Sequence, residues 1–363
     1  MGMYMRNATY RHKQLELNRS GDVIDNDFKP LVDHILNSKK SIVINGRAGC
    51  GKSTLIKMIQ AELAQKGIEQ KSLAPTNKAC RIIDGTTLHK FTISHSRKSL
   101  MDINWEYIII DEISMVSEKF YKFFITLHRI RPDIKFIIAG DFAQLLPVND
   151  RIEDLDYENS PALHELADGN HLLLSTCRRS DNELYNMCLP ENIVQITKDD
   201  FTNNKSRINI CFTNATRKKI NKEKMTEAVE ANKKGKKQKV VNLKAYVYDE
   251  NSQDVSLLPL MPVIARMTSD EYNIMNNETF TIKKVSEEFI TLTSADKDSI
   301  ACMDIPTEDF TKLFHIAFCI TCHKSQGETY NHPYTIHEWN KMDSRLKYVA
   351  LSRATQKQFI NLI

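Results

Sequence analysis

The segment Gly46-Arg-Ala-Gly-Cys-Gly-Lys52-Ser53 constrains this chain more than any other, because it fills every fixed position of the pattern G-x-x-x-x-G-K-[ST]. An apolar run at 41–45 precedes it. After it, Leu55, Ile59 and Leu63 recur at i, i+4 and i+8, and Gly67 can end a helix. The predicted context is therefore strand, loop, helix. Glycines there let backbone N–H groups wrap a phosphate without Cβ clashes, and a helix N-terminus adds partial positive charge. Lys52 can reach β- and γ-phosphates, and the Ser53 hydroxyl can ligate Mg²⁺. An ordinary glycine-rich turn would not need all these residues in this context.

Further short apolar runs at 107–111, 135–141, 208–213, 315–321, 348–351 and 358–362 read as buried strands. They are continuous rather than alternating, as expected where helices cover both faces of a parallel sheet. The 363 residues predict two to three domains in α/β layers. Residues 240–310 alternate more, as at 244–248 and 278–282, and predict a small β-rich insertion in a second α/β lobe. The charged run at 232–239 is read first as a solvated loop, with a nucleic-acid contact or nuclear import signal as the other readings.

Apolar residues at 41% and charged residues at 26% exclude collagen-like and wholly disordered chains. No apolar run reaches the roughly 20 residues that span a bilayer, and the polar first twenty residues predict no signal peptide. The net charge of +4 names no partner. Eight scattered cysteines suggest reduced thiols in a cytosolic or nuclear compartment. Cys319-Ile-Thr-Cys322-His323 matches a c-type haem attachment pattern, but such haem is normally attached after export.

Two more predicted strand ends carry chemistry. Asp111 can meet the magnesium ion of the phosphate loop, and Glu112 can polarise an attacking water. Gly140-Asp-Phe-Ala-Gln144-Leu-Leu-Pro147 places an uncharged donor, Gln144, where it can sense a γ-phosphate or hold a water.

From about residue 40 onward the chain resembles a superfamily 1 (1B) DNA helicase of the RecD/Dda/Pif-like branch. The resemblance rests on ordered motifs: the phosphate loop, Ala74-Pro-Thr-Asn-Lys-Ala79, Gly85-Thr-Thr-Leu-His89, Asp111-Glu-Ile-Ser-Met115, Gly140 to Pro147, Leu174-Ser-Thr-Cys-Arg178-Arg179-Ser180, Thr321-Cys-His-Lys-Ser-Gln-Gly327 and Val349-Ala-Leu-Ser-Arg353-Ala-Thr355. It also accounts for the CxxCH stretch without haem.

The resemblance implies two RecA-like P-loop lobes, parallel sheets flanked by helices, with an SH3-like β-rich insertion in the second. The expected layout is a tail at 1–20, a first lobe at 21–175, a second at 176–239 and 311–363, and the insertion at 240–310. It implies ATP contacts from Gly46, Gly49, Cys50, Gly51, Lys52, Ser53, Thr54, Gln144, Gly327 and Arg353, with Mg²⁺ on Ser53 and Asp111. Arginine fingers are expected from Arg178 or Arg179, with Arg179 slightly favoured, and from Arg353, all supplied by the second lobe. DNA contacts are expected from Pro75, Thr76, Asn77, His89, Phe142, His323, Lys324 and Ser325. Phe142 and Trp105 are candidate stacking faces and equally candidate core aromatics.

The implied activity is ATP-dependent movement along single-stranded DNA, 5′ to 3′, with unwinding at single-strand/duplex junctions. Two departures stand against the pattern. Residues 27–35 hold no adenine-reading glutamine, and only about twenty residues separate His89 from Asp111, so any strand-splitting insertion is small or absent. The rival readings are a translocase that does not separate strands, a motor-like subunit of a replication complex, and a P-loop small-molecule kinase. A monomer with replication or repair proteins as partners is expected, away from membranes. The abundance of Lys, Asn and Ile suggests an AT-rich genome, such as that of a large DNA virus.

Overall fold

The computed structural model describes residues 24–38, 40–96, 100–145, 147, 156–201, 206–235, 237–294 and 302–363. The expected tail at 1–20 lies outside these residues, as does Leu146. The chain divides into two compact units between Asn182 and Glu183.

Among its described residues, the first unit is built on six strands: β1 (Ile42–Gly46), β2 (Gln70–Ala74), β3 (Thr86–Thr87), β4 (Tyr107–Ile110), β5 (Lys135–Gly140) and β6 (His171–Leu174). They form one sheet in the order β3-β2-β4-β5-β1-β6, with every pairing parallel. All four β4 residues are buried, which is why these strands read as unbroken apolar runs. Phe91, Phe124, Phe136 and Leu163 share the core on one side of the sheet.

The helix Lys52–Gln65 starts at Gly51 with no side-chain cap. A missing cap costs about 1 kcal/mol. Burial of Leu55, Ile56, Ile59 and Leu63 contributes roughly 1.5–3 kcal/mol each, so packing outweighs the missing cap and leaves the helix entrance to a ligand.

The described residues of the second unit contain eleven strands. They are β7 (Ile208–Cys211), β8 (Val241–Leu243), β9 (Val255–Leu257), β10 (Pro262–Ala265), β11 (Thr279–Val285), β12 (Phe289–Ser294), β13 (Cys302–Pro306), β14 (Phe314–Ile316), β15 (Cys319–Thr321), β16 (Tyr334–Ile336) and β17 (Ile360–Leu362). A parallel sheet runs β15-β7-β16-β17. An antiparallel sheet runs β13-β12-β11-β10-β14, and β8 and β9 form a separate ribbon. This is the β-rich addition to a RecA-like lobe.

Three strand expectations are corrected. The run at 315–321 is two strands in two sheets: β14 pairs antiparallel with β10, and β15 pairs parallel with β7. Asn221, fully buried on the helix Asn214–Lys234, covers the break. It donates to the carbonyls of Ile316 at 2.9 Å and Cys319 at 3.0 Å, and accepts from the Cys319 N–H at 2.8 Å. The run is apolar throughout, so nothing in its pattern marks the change of partner. The β-rich sheet accordingly extends past 310 to Ile316.

Residues 348–351 end a helix, Ser344–Leu351, started by the Asp343 carboxylate accepting from Leu346 N–H at 2.7 Å. Tyr348, Val349, Ala350 and Leu351 are all buried, so no exposed position betrays the helical period. Residues 244–248 form a loop rather than a strand, with Val247 and Tyr248 at 83% and 85% exposure. In the charged run, Lys233 and Lys234 close the helix Asn214–Lys234, where cations suit the C-terminal dipole. No described helix is long and apolar enough to cross a membrane.

Candidate nucleotide and nucleic-acid site

Five chain segments of the first unit leave parallel strands at the same edge of the sheet. They are the phosphate loop after β1, Pro75–Asn77 after β2, Asp111–Glu112 after β4, Asp141–Gln144 after β5, and Cys177–Arg179 after β6. Open parallel sheets bind ligands outside the carboxyl ends of their strands.

The phosphate loop needs its glycines. Gly49 and Gly51 have φ of 83° and 87°, which L side chains rarely adopt. A Cβ at Gly51 would also stand 2.7 Å from Phe28 Cζ, and one at Gly49 2.7 Å from Arg179 Cβ. Lys52 is buried, and its Nζ donates to the carbonyls of Gly46 at 2.6 Å and Arg47 at 3.2 Å. Cys50 is buried, which pushes its thiol up to about 11. Thr54 is exposed in the first turn of the helix.

Ser53 Oγ donates to Asp111 Oδ2 at 2.9 Å, and the Glu112 N–H donates to Asp111 Oδ1 at 2.9 Å. Burial raises the Asp111 carboxyl above its ordinary range, against the Ser53 hydrogen bond and the Lys52 charge. Glu112 sits in the left-handed region at φ 54°. Gln144 is buried, and its Nε2 donates to Asp141 Oδ2 at 2.9 Å. Asp141 was not singled out from sequence, although its position at a strand end matches that of Asp111.

Arg178 and Arg179 correct an expectation: they belong to the first unit, not the second. Because β6 neighbours β1 in the sheet, the chain leaving β6 runs directly onto the phosphate loop. The Arg178 N–H donates to the Gly49 carbonyl at 2.8 Å, and its guanidinium lies 4.6 Å from the centre of the Phe28 ring. Phe28 was also missed. Its apolar spacing with Leu31, Val32 and Ile35 on the helix Ile24–Asn37 was available as a signal.

Among the expected nucleic-acid residues of this unit, Thr76 accepts from the Ala79 N–H at 3.2 Å and so starts the helix Asn77–Ile82. Pro75 and Asn77 flank it, half-buried. His89 is exposed, edge-on to Phe120 at 4.8 Å. Trp105 packs against Phe91 and His95 and is partly buried. Phe142 is a core residue at 7% exposure. It offers no open face for stacking, because its ring is packed into the core of the first unit.

In the second unit, β15 leads into a 3₁₀ turn, Cys322–Ser325. His323 is exposed and Lys324 half-buried. Burial, with Arg217 and Arg266 nearby, brings the Lys324 ammonium down to about 8. Ser325 corrects another expectation, since it is fully buried and donates to the Cys322 carbonyl at 2.7 Å, closing the turn. Cys319 and Cys322 are also buried. Gly327 has φ 81° and is exposed. Arg353 is 2% exposed, donating to the Val349 carbonyl at 2.9 Å, the Glu328 carbonyl at 3.3 Å and Ser352 Oγ at 2.8 Å.

Residues 25–164 match the family model of an AAA domain. In fold, the chain is similar to Pif1 helicase from Candida albicans, with TM-score 0.70, 19% identity and 94% of each chain covered. It is similarly close to Pif1 helicase from Bacteroides in complex with ADP-AlF3 and ssDNA, with TM-score 0.68, 20% identity, and 94% of this chain and 92% of that chain covered. The chain thus shares its fold with these Pif1 helicases.

In sequence, the chain is 29% identical over 185 residues to the ATP-dependent DNA helicase PIF1 of Danio rerio, covering 45% of this chain and 29% of that protein. It is 30% identical over 141 residues to the ATP-dependent DNA helicase dda of Enterobacteria phage T4, covering 34% of this chain and 32% of that protein. The matched stretches thus span less than a third of these relatives' own length.

Proposed function

We propose that this Pif1/Dda-like chain is an ATP-dependent DNA helicase, coupling hydrolysis to 5′-to-3′ movement on single-stranded DNA and to opening of duplex junctions. The observation that carries this reading is the convergence of Lys52, Ser53, Asp111, Glu112 and Gln144 at one edge of a parallel sheet.

The residues divide the chemistry. Backbone N–H groups from Gly49 to Ser53 and the Lys52 ammonium bind the phosphates; to do so Lys52 exchanges its bonds to the loop carbonyls for phosphate oxygens. Glu112 takes the proton of the attacking water, and Gln144, oriented by Asp141, contacts the γ-phosphate or that water. Arg353 is the residue proposed to stabilise the transferring phosphoryl group, a role worth ~10³–10⁵ in rate in related enzymes. It must first leave the three oxygen acceptors of its own unit. Ser53 and Asp111 offer two adjacent oxygen donors suited to a hard divalent cation. Mg²⁺ bound there would neutralise phosphate charge.

DNA contacts are proposed for Pro75, Thr76, Asn77, His89, His323 and Lys324. Phosphate and sugar contacts position a strand without reading its sequence. Affinity should then fall steeply with salt through counterion release.

A translocase that does not separate strands is the second reading. It is favoured by one feature: the described residues between β3 and β4 form the helix Leu88–Ser96 and a 3₁₀ turn, Leu100–Asp102, with no hairpin among them. ATP turnover with and without single-stranded DNA, beside a tailed-duplex unwinding assay, tests both readings. DNA-stimulated turnover abolished by Lys52→Ala, with unwinding, supports the helicase. Stimulated turnover without unwinding supports the translocase. Turnover indifferent to DNA removes both.

A further inference from the structure

The helix Asn214–Lys234 is 21 residues long, or roughly 30 Å at 1.5 Å per residue. One face, including Arg217, Ile220, Asn221 and Met225, is buried in the second unit. Beside it, the helix and the β8–β9 ribbon enclose a groove of about 720 Å³. Its charged lining is Lys218, Lys219, Lys222, Lys233 and Lys244, against only two carboxylates, Glu230 and Asp254.

Asp254 is already taken by Lys244 at 2.9 Å, and Lys218 donates to the Glu250 carbonyl at 2.9 Å. Among the described residues no carboxylate forms an ion pair with Lys219, Lys222 or Lys233. Lys218 and Lys222 stand at i, i+4, and Lys219 and Lys222 at i, i+3, spacings at which like charges repel on a helix. The groove therefore holds an excess of positive charge, five lysines against Glu230 and Asp254, above a floor of Met225, Val229, Leu243 and Val255.

That combination selects an occupant. Single strands of nucleic acid are held by basic grooves with aromatic faces for the bases, and among the described residues this groove is lined by neither an aromatic residue nor an arginine. Apolar side chains on the floor with carboxylates on the lysine rim match an amphipathic peptide.

We propose that the groove between the helix Asn214–Lys234 and the β8–β9 ribbon is a docking site for an acidic, amphipathic segment of a partner protein. The site uses none of the residues assigned to nucleotide or DNA, so it stands or falls apart from the motor reading.

The probe is a fluorescein-labelled ten-residue peptide alternating aspartate and leucine, titrated with the full chain and followed by anisotropy. Saturable binding is expected. Lys219→Glu/Lys222→Glu should weaken it at least tenfold while single-stranded oligonucleotide affinity and ATP turnover stay within twofold of wild type. A peptide with serine in place of leucine should bind at least fivefold more weakly, which separates the apolar floor from charge alone. Val229→Ser, a small change in that floor, should weaken the leucine peptide and leave the serine peptide unaffected.

Three results would overturn the proposal. The first is no binding by the wild-type chain. The second is equal affinity for the leucine and serine peptides. The third is loss of oligonucleotide affinity matching the loss of peptide affinity in the double variant, which would make the groove a nucleic-acid surface.

Discussion

Ser53 and Asp111 meet at the edge of the first sheet, the hydroxyl donating to the carboxylate at 2.9 Å. The carboxylate is 2% exposed, and burial opposes its charge. Asp111→Asn removes that charge at almost no cost in volume. The variant should melt at or above the wild-type temperature while magnesium-dependent ATP turnover falls by at least ~10². Calorimetry and a coupled ATPase assay check the two halves, and a lower melting temperature would mean that the charge is compensated in the fold.

Gly51 carries two constraints, a φ of 87° and the 2.7 Å approach to Phe28 Cζ that any Cβ would make. Gly51→Ala should destabilise the first unit by about 1–3 kcal/mol and abolish nucleotide binding. Adding Phe28→Leu relieves the contact but not the backbone strain, so only part of the stability should return in urea denaturation.

For Arg353, the expected signature is a split between binding and chemistry. Arg353→Ala should leave nucleotide affinity within a few-fold and cut turnover by ~10³ or more. Loss of its three hydrogen bonds should also lower the stability of the second unit by about 1–3 kcal/mol. Equal losses in affinity and turnover would speak for a purely structural residue.

Asn221 answers three backbone groups where β14 gives way to β15. Asn221→Leu leaves them buried without that partner, at about 1–3 kcal/mol for each unsatisfied group. A loss of at least ~3 kcal/mol is expected in denaturant titrations of the full chain, far more than for an exposed neighbour such as Glu223→Leu.

Glu338 sets the acid limit of the second unit. Burial pushes its carboxyl up, but the Thr213 N–H, Lys341, and the Thr216 and Thr213 hydroxyls outweigh burial and hold it at about 2 rather than 4.5. A depressed carboxyl contributes stability that is complete above pH 4.5 and disappears as pH falls from there toward 2. The contribution is at most about 3 kcal/mol. Glu338→Gln should be less stable at pH 7 and nearly equal to wild type at pH 2 in urea midpoints.

Much of this was legible from local chemistry. The phosphate loop, Asp111–Glu112 and Gln144 each follow an unbroken apolar strand, and side-chain type at a strand end is a local signal. What failed was decided by distant partners. The run at 315–321 changes sheets because Asn221, far back in the chain, receives its free backbone groups. Residues 348–351 end a helix, yet every one of them is buried, leaving no polar face to count from. Phe142 and Ser325 carry groups fit for nucleic acid, but burial hides both. Arg178 and Arg179 were assigned to the wrong unit because sequence does not reveal that β6 lies beside β1.

The bond from the Arg178 N–H to the Gly49 carbonyl has a mechanical consequence. Four residues beyond Arg178, at Asn182, the first unit ends and the polypeptide crosses into the second. Under the proposed function, a rearrangement of the loop around a triphosphate would pull on the four-residue tether of chain that leads from Arg178 to that crossing. The transmission needs no side chain to carry it, so replacing the Arg178 guanidinium would leave the tether itself in place.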